Sequence, residues 1–137
     1  MIKTLAHVCI HSRDLERTQE FYCDTLGMKK KFDFVKGEEL IGFYLEVGQG
    51  HFIEVFKGDT AAEPQGRRIM HFCLEVGDID GVRERLISRG IGASEKKMGC
   101  DGSWQIWCKD PDGIDMEFHQ YTPESSQGTG ARCLVNW

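Results

Sequence analysis

A chain of 137 residues can bury one core, or the cores of two small modules, and does not accommodate a second large domain. Seventeen basic against 22 acidic residues leave a net charge of −5, which disfavours a polyanionic partner such as nucleic acid. Its 40% hydrophobic and 28% charged content is near the average of globular proteins and points to neither a disordered chain nor a membrane-spanning one, and no apolar run approaches the length a bilayer needs.

Taken in order, Ala6-His7-Val8-Cys9-Ile10 reads as a strand, and Asp14 then caps a helix that carries Leu15, Tyr22 and Leu26 on one face and stops at Gly27. Lys29-Lys30-Lys31 follows as a solvated basic run. Phe43-Tyr44-Leu45-Glu46-Val47 and His51-Phe52-Ile53-Glu54-Val55-Phe56 flank Gly48-Gln49-Gly50, a hairpin signature. The pattern then restarts after a linker over 59–66. Met70-His71-Phe72-Cys73-Leu74 echoes the first strand, and Asp78 caps a helix bearing Ile79, Val82 and Leu86 that ends at Gly90. Trp104-Gln105-Ile106-Trp107-Cys108 and Ile114-Asp115-Met116-Glu117-Phe118 form a second hairpin around Asp110-Pro111-Asp112-Gly113, which is turn chemistry rather than a calcium loop. The expected fold class is therefore α+β. Two βαβββ modules, 1–58 and 67–121, make a curved mixed sheet of half-barrels around a metal cavity, with helices on the outer face. Residues 122–137 form a tail, loosely ordered as far as Gly130, whose Leu134, Val135 and Trp137 are free to dock.

Strand side chains alternate between faces, so neighbours reveal where each polar residue looks. Ala6, Val8 and Ile10 suit a helix-covered face, which leaves His7, Cys9 and His11 on the other. Phe72, Leu74 and Val76 repeat that face against His71, Cys73 and Glu75. Ile53 and Val55 pack while Glu54 turns away, and Met116 and Phe118 pack while Asp115, Glu117 and His119 turn away. A single strand histidine or glutamate is ordinarily structural or solvated, but here each half supplies one His and one Glu at nearly the same offset and on the same face. His7, Glu54, His71 and Glu117 are thus predicted to hold one divalent metal ion, for which Ni, Zn, Co, Fe and Mn all suit two imidazoles and two carboxylates. Cys9 and Cys73 share the face and are read as packing thiols rather than ligands. His119 orients Glu117, touches substrate, or sits exposed on the rim. Trp104 and Trp107 lie on opposite faces, so at most one lines the cavity.

The six cysteines lack any CxxC pair, which excludes a zinc finger by spacing and points to reduced thiols. Without a secretory leader at Met1 to His7, the expected location is the cytoplasm. Unfinished sheet edges and a half-built cavity in each module predict a homodimer.

These residues resemble the vicinal oxygen chelate superfamily, and within it glyoxalase I-like proteins, over about residues 2–121. The resemblance rests on the His7 strand, Asp14-Leu15-Glu16-Arg17, Phe21-Tyr22-Cys23-Asp24-Thr25-Leu26-Gly27-Met28, Ile53-Glu54-Val55, Ile69-Met70-His71-Phe72, and the run from Asp110 to Glu117. It implies a lyase or isomerase whose metal is chelated by two adjacent substrate oxygens, as in a 2-oxoaldehyde hemithioacetal, and stabilises an enediolate. Glu117 would be the mobile base and Glu54 its counterpart. Dioxygenases and fosfomycin-inactivating enzymes of the superfamily leave the Glu54 position without a ligand, acyl-thioester epimerases usually place glutamine there, and binding-only resistance proteins lack the ligand set. In bacterial glyoxalase I, an arginine and an asparagine that help hold glutathione occupy the places of His11 and Gly58. Glutathione binding is accordingly not carried over, and His11 joins His119 as a substrate-contact candidate.

Overall fold

The computed structural model describes residues 5–58, 69, 71–131 and 133. The chain divides into two compact units, Met1–Arg67 and Arg68–Trp137. The expected linker 59–66 and the expected docking residues Leu134, Val135 and Trp137 lie outside the described residues.

In the first unit, β1 (His7–Ser12) leads through α1 (Leu15–Gln19) and a wider π-helical turn (Glu20–Thr25) to β2 (Lys29–Lys36), β3 (Glu39–Gly48) and β4 (His51–Lys57). The strands lie in the order β1-β4-β3-β2, with β1 parallel to β4 and the other pairs antiparallel. Asp14 caps α1 by accepting the Arg17 backbone N–H at 3.1 Å, as its position before the apolar run predicts. Gly27 closes the segment with φ 77°, a left-handed conformation that only glycine adopts cheaply. The π turn was not foreseen. Leu26 N–H reaches back five residues to the Phe21 carbonyl at 3.1 Å, beside the buried pair Phe21 and Tyr22, whose rings meet edge to face at 5.0 Å. The lysines at 29–31 are exposed as expected but open the edge strand β2, where charge discourages pairing with another sheet.

The register bears out the expected alternation. Val8 and Ile10 pair with Ile53 and Val55, which pair in turn with Leu45 and Phe43; these last four are almost wholly buried. The intervening row is Cys9, Glu54 and Tyr44, with Phe52 opposite His7 and Phe56 opposite His11. Gln49 (φ 45°) and Gly50 (φ 82°) form the two-residue turn that the right-handed twist of a hairpin prefers. At Gly42 the strands approach so closely that a Cβ would lie 2.2 Å from the Val55 carbonyl oxygen. Gly42→Ala is therefore expected to destabilise the protein by about 1–3 kcal/mol, read as a lower urea midpoint, because backbone must move to admit the methyl.

The second unit repeats the plan with β5 (Phe72–Glu75), α2 (Ile79–Ser88), β6 (Lys97–Met98), β7 (Trp104–Lys109) and β8 (Asp115–Gln120), in the order β5-β8-β7-β6. Two four-stranded mixed sheets, each with its own helix, are the expected βαβββ modules, and neither sheet closes into a barrel. Asp78 caps α2 through the Gly81 N–H at 3.0 Å, and the Gln120 side chain accepts the Ile79 N–H at 2.9 Å, tying the helix start to β8. Ile79, Leu86, Ile106, Met116 and Phe118 form the core. The Asp110 carboxylate accepts from Asp112 and Ile114 backbone N–H groups at 2.9 and 2.8 Å, so this segment is turn chemistry as read.

The tail departs from expectation. Residues 122–130 are not loosely ordered: a helical turn, α3 (Ser126–Thr129), is pinned to the loop before β7. Thr122 Oγ1 and Ser125 Oγ donate to the Gly102 carbonyl at 2.8 and 3.0 Å, Ser126 N–H donates to the Asp101 carbonyl at 2.7 Å, and Ser125 is fully buried. Serine and threonine, read as loop composition, here satisfy a buried turn.

Candidate functional site

The two histidine–glutamate pairs occupy corresponding places on the open faces of their sheets. In the first unit, His7 pairs in register with Phe52 and Glu54 with Cys9, so His7 and Glu54 are diagonal neighbours, with His7 Nε2 3.9 Å from Glu54 Oε2. His7 Nδ1 lies 3.0 Å from the Tyr44 hydroxyl. If Nε2 is to offer its lone pair to a cation, Nδ1 must carry the proton and donate to the Tyr44 oxygen, the outer-shell arrangement usual for a ligating histidine. Tyr44 was not singled out in the sequence; its alternation with Phe43 and Leu45 was the available signal. Around this pair Phe32, Tyr44 and Phe52 stack at 4.8 and 5.0 Å, and Phe34 leans on Phe56 at 4.6 Å, so the face is aromatic.

In the second unit, His71 stands just ahead of β5 with Nε2 3.4 Å from Glu117 Oε2. The other carboxylate oxygen, Oε1, is 2.9 Å from His119 Nε2, and His119 Nδ1 is 3.9 Å from Asp101 Oδ2. Cys73 lies opposite Glu117 in register, and Trp107 lies opposite Glu117 on the other side. The Trp107 ring meets the His71 imidazole edge to face at 4.7 Å, whereas Trp104 carries Lys96 over its ring at 4.7 Å; Trp107 is the tryptophan that lines this site.

Asp101 also escaped the sequence reading, because nothing local marks a residue whose partners come from the tail. Desolvation works to raise its carboxyl, but the Gln127 amide, donating at 2.6 Å, the Ser103 backbone and hydroxyl, and His119 together hold it below the usual carboxylate range. Burial, followed by the Glu117 charge, pushes the Cys73 thiol up to about 12 although the residue keeps solvent-facing surface. A raised thiol stays protonated to higher pH. At pH 8 Cys73 therefore holds about 10³-fold less thiolate than a cysteine at the ordinary value of 9.0. In metal-free protein it should be among the last thiols alkylated by iodoacetamide, checked by peptide mapping over time.

His11 and Gly58 also come together. A Cβ at Gly58 would sit 2.9 Å from His11 Cγ, so the ring packs over the glycine and fills the place a larger side chain would need. The substrate-contact candidates thus differ: His11 is exposed at the end of β1, and His119 is nearly buried beside Glu117.

Each pair fits a divalent cation in donor chemistry. The 3.4 Å between the His71 nitrogen and the Glu117 oxygen matches neighbouring tetrahedral ligands with bonds of about 2.0–2.2 Å, the 3.9 Å of the His7–Glu54 pair is wider than that, and Glu117 is largely withdrawn from water.

The model of the Glyoxalase/Bleomycin resistance protein/Dioxygenase superfamily matches residues 4–118. The chain belongs to this superfamily. A probable lactoylglutathione lyase of Synechocystis sp. is 31% identical over 124 residues, spanning 85% of this chain and 94% of that protein. A lactoylglutathione lyase of Arabidopsis thaliana is 26% identical over 124 residues, where 85% of this chain matches 44% of the longer plant protein. Among solved structures, the glyoxalase family protein from Enterococcus faecalis superposes with a TM-score of 0.72 at 23% identity, over 86% of this chain and 98% of that one. That likeness establishes the two-module fold. Among the described residues no helix is long and apolar enough to cross a membrane.

Proposed function

We propose that the protein is a glyoxalase I-like lyase or isomerase acting, in the cytoplasm, on a small substrate with two adjacent oxygens. One divalent ion would be held by His7, Glu54, His71 and Glu117. The observation that carries this reading is the repetition of one His–Glu pair, at 3.9 and 3.4 Å, on the open face of each sheet. Similarity to two lactoylglutathione lyases supports the reaction class. A divalent ion bound there supplies Lewis acidity to the two oxygens, making a neighbouring carbon-bound proton removable. Glu117 takes that proton and returns it to the adjacent carbon, Glu54 is its counterpart, and Trp107 packs beside His71 and Glu117. His119 flanks the base, with Nε2 2.9 Å from Glu117 Oε1 and Asp101 behind its Nδ1 at 3.9 Å.

His11 packed over Gly58 favours a thiol other than glutathione in the hemithioacetal, since the arginine and asparagine that would grip glutathione have no counterpart there. The test is metal-loaded protein, reconstituted separately with nickel, zinc, cobalt, iron and manganese, against hemithioacetals of methylglyoxal with glutathione and with other low-molecular-weight thiols. Isomerisation of a non-glutathione adduct at higher kcat/KM than the glutathione adduct is expected. Turnover of none of them, together with tight retention of an intact planar ligand, would instead establish a binding protein. The reading includes a homodimer, and a monomer by light scattering at micromolar concentration would remove that part.

A further inference from the structure

We propose that Cys73, Glu117 and His119 form a second metal-binding corner, contained within the second unit, that takes a borderline-soft divalent ion such as zinc or cobalt through a sulfur ligand. The sequence reading placed Cys73 among packing thiols, but the register sets it directly opposite Glu117 with His119 two residues further along the same face. One donor atom from each of the three lies within 4.8 Å of the others.

His119 gives the independent sign that the corner is built for a ligand. The residue is only 9% exposed, and its Nε2 is sealed from water without an aligned hydrogen-bond partner among the described residues. Yet Nε2 sits 2.9 Å from Glu117 Oε1. Their alignment does not make a hydrogen bond, so Nε2 is left without a partner in a site closed to water. The spacing is a little short of the roughly 3.3 Å edge between tetrahedral ligands whose bonds to one ion are about 2.0–2.1 Å, so a small side-chain shift admits the ion. A buried polar atom without a partner is costly, and a cation in the corner would satisfy it. Asp101 stands behind Nδ1 and is itself fixed by Gln127, the carboxylate–histidine arrangement that orients ligating imidazoles.

The first unit supplies a control within the same chain. It matches Cys73 and Glu117 with Cys9 opposite Glu54, but two residues beyond Glu54 comes Phe56, whose ring leans on Phe34. Among the described residues the three-donor set exists in the second unit alone. Glu117 serves both corners, with Oε2 toward His71 and Oε1 toward His119, whereas Cys73 is a donor to the new corner alone. The corner requires neither His7 nor Glu54. Sulfur beside nitrogen and oxygen selects zinc or cobalt over magnesium or calcium.

Cobalt(II) added alone to the full-length, metal-free protein in a thiol-free reductant is the test. A thiolate-to-cobalt charge-transfer band is expected in the wild type and, with equal intensity, in the His7→Ala/Glu54→Gln double variant. It should vanish in Cys73→Ser, a change on a solvent-facing side chain that leaves the circular dichroism spectrum intact. His119→Gln should weaken cobalt binding at least about tenfold while retaining a weaker band. Absence of the band at saturating cobalt in the wild type, or its persistence in Cys73→Ser, overturns the proposal. The four-ligand reading fails on a different pattern, in which metal binding is unchanged by His7→Ala and His71→Ala, so the two outcomes are distinguishable.

Discussion

Replacing Glu117 by glutamine is expected to lower turnover of an accepted substrate by about 10²–10⁴-fold while the protein stays folded and still binds metal. The substitution keeps the shape of a side chain that is 10% exposed and leaves one oxygen able to coordinate. What it removes is the negative oxygen that can accept a carbon-bound proton. The environment of Glu117 suits that role better than Glu54's. Its two oxygens face different imidazoles, so one can turn toward substrate while the other remains held. Glu54 has a single imidazole at 3.9 Å and is 21% exposed. Glu54→Gln should therefore cost less. Rates and solvent-deuterium incorporation in the two variants separate the roles: full activity of Glu117→Gln with metal bound would make Glu117 a ligand only.

The parts of this picture that depend on strand alternation were legible in advance, since a period of two fixes which side chains share a face wherever one face is apolar. That is why His7, Glu54, His71 and Glu117 fall on the open faces, and why Tyr22, Phe43, Leu45 and Phe118 are buried. The helix caps Asp14 and Asp78 were legible for a similar reason, because capping is decided within three residues. Alternation does not reveal which residue from a distant strand sits alongside. Trp104 and Trp107 were indistinguishable until the pairing of Trp107 with Glu117 fixed one of them at the site. Asp101 and its anchors Ser126 and Gln127 are separated by more than twenty residues in a Ser- and Gly-rich background, where composition suggests mobility and only three-dimensional closure shows a satisfied network. The π turn at Glu20–Thr25 is equally silent, because the apolar spacing of Leu15, Tyr22 and Leu26 does not distinguish it from an ordinary helix.

Removal of His71 is expected to weaken metal binding more than removal of His7, by more than the roughly 10–100-fold that outer-shell changes cause. The two halves repeat in sequence but not in surroundings. In the second, the carboxylate is less exposed, the imidazole is closer to it at 3.4 Å, and Trp107 packs against the His71 ring. Water screens that pair less, so the attraction between its carboxylate and a cation is stronger, and so is the dependence on the neutral imidazole completing the set. In the first, the longer 3.9 Å separation and the greater exposure of both side chains let water replace a lost imidazole at smaller cost. Competition of His7→Ala, His71→Ala and wild type against a chelator of known zinc affinity measures the order directly. Equal losses in the two variants would mean that burial around Glu117 does not tighten the site, and a larger loss in His7→Ala would make the Tyr44-supported histidine the principal ligand.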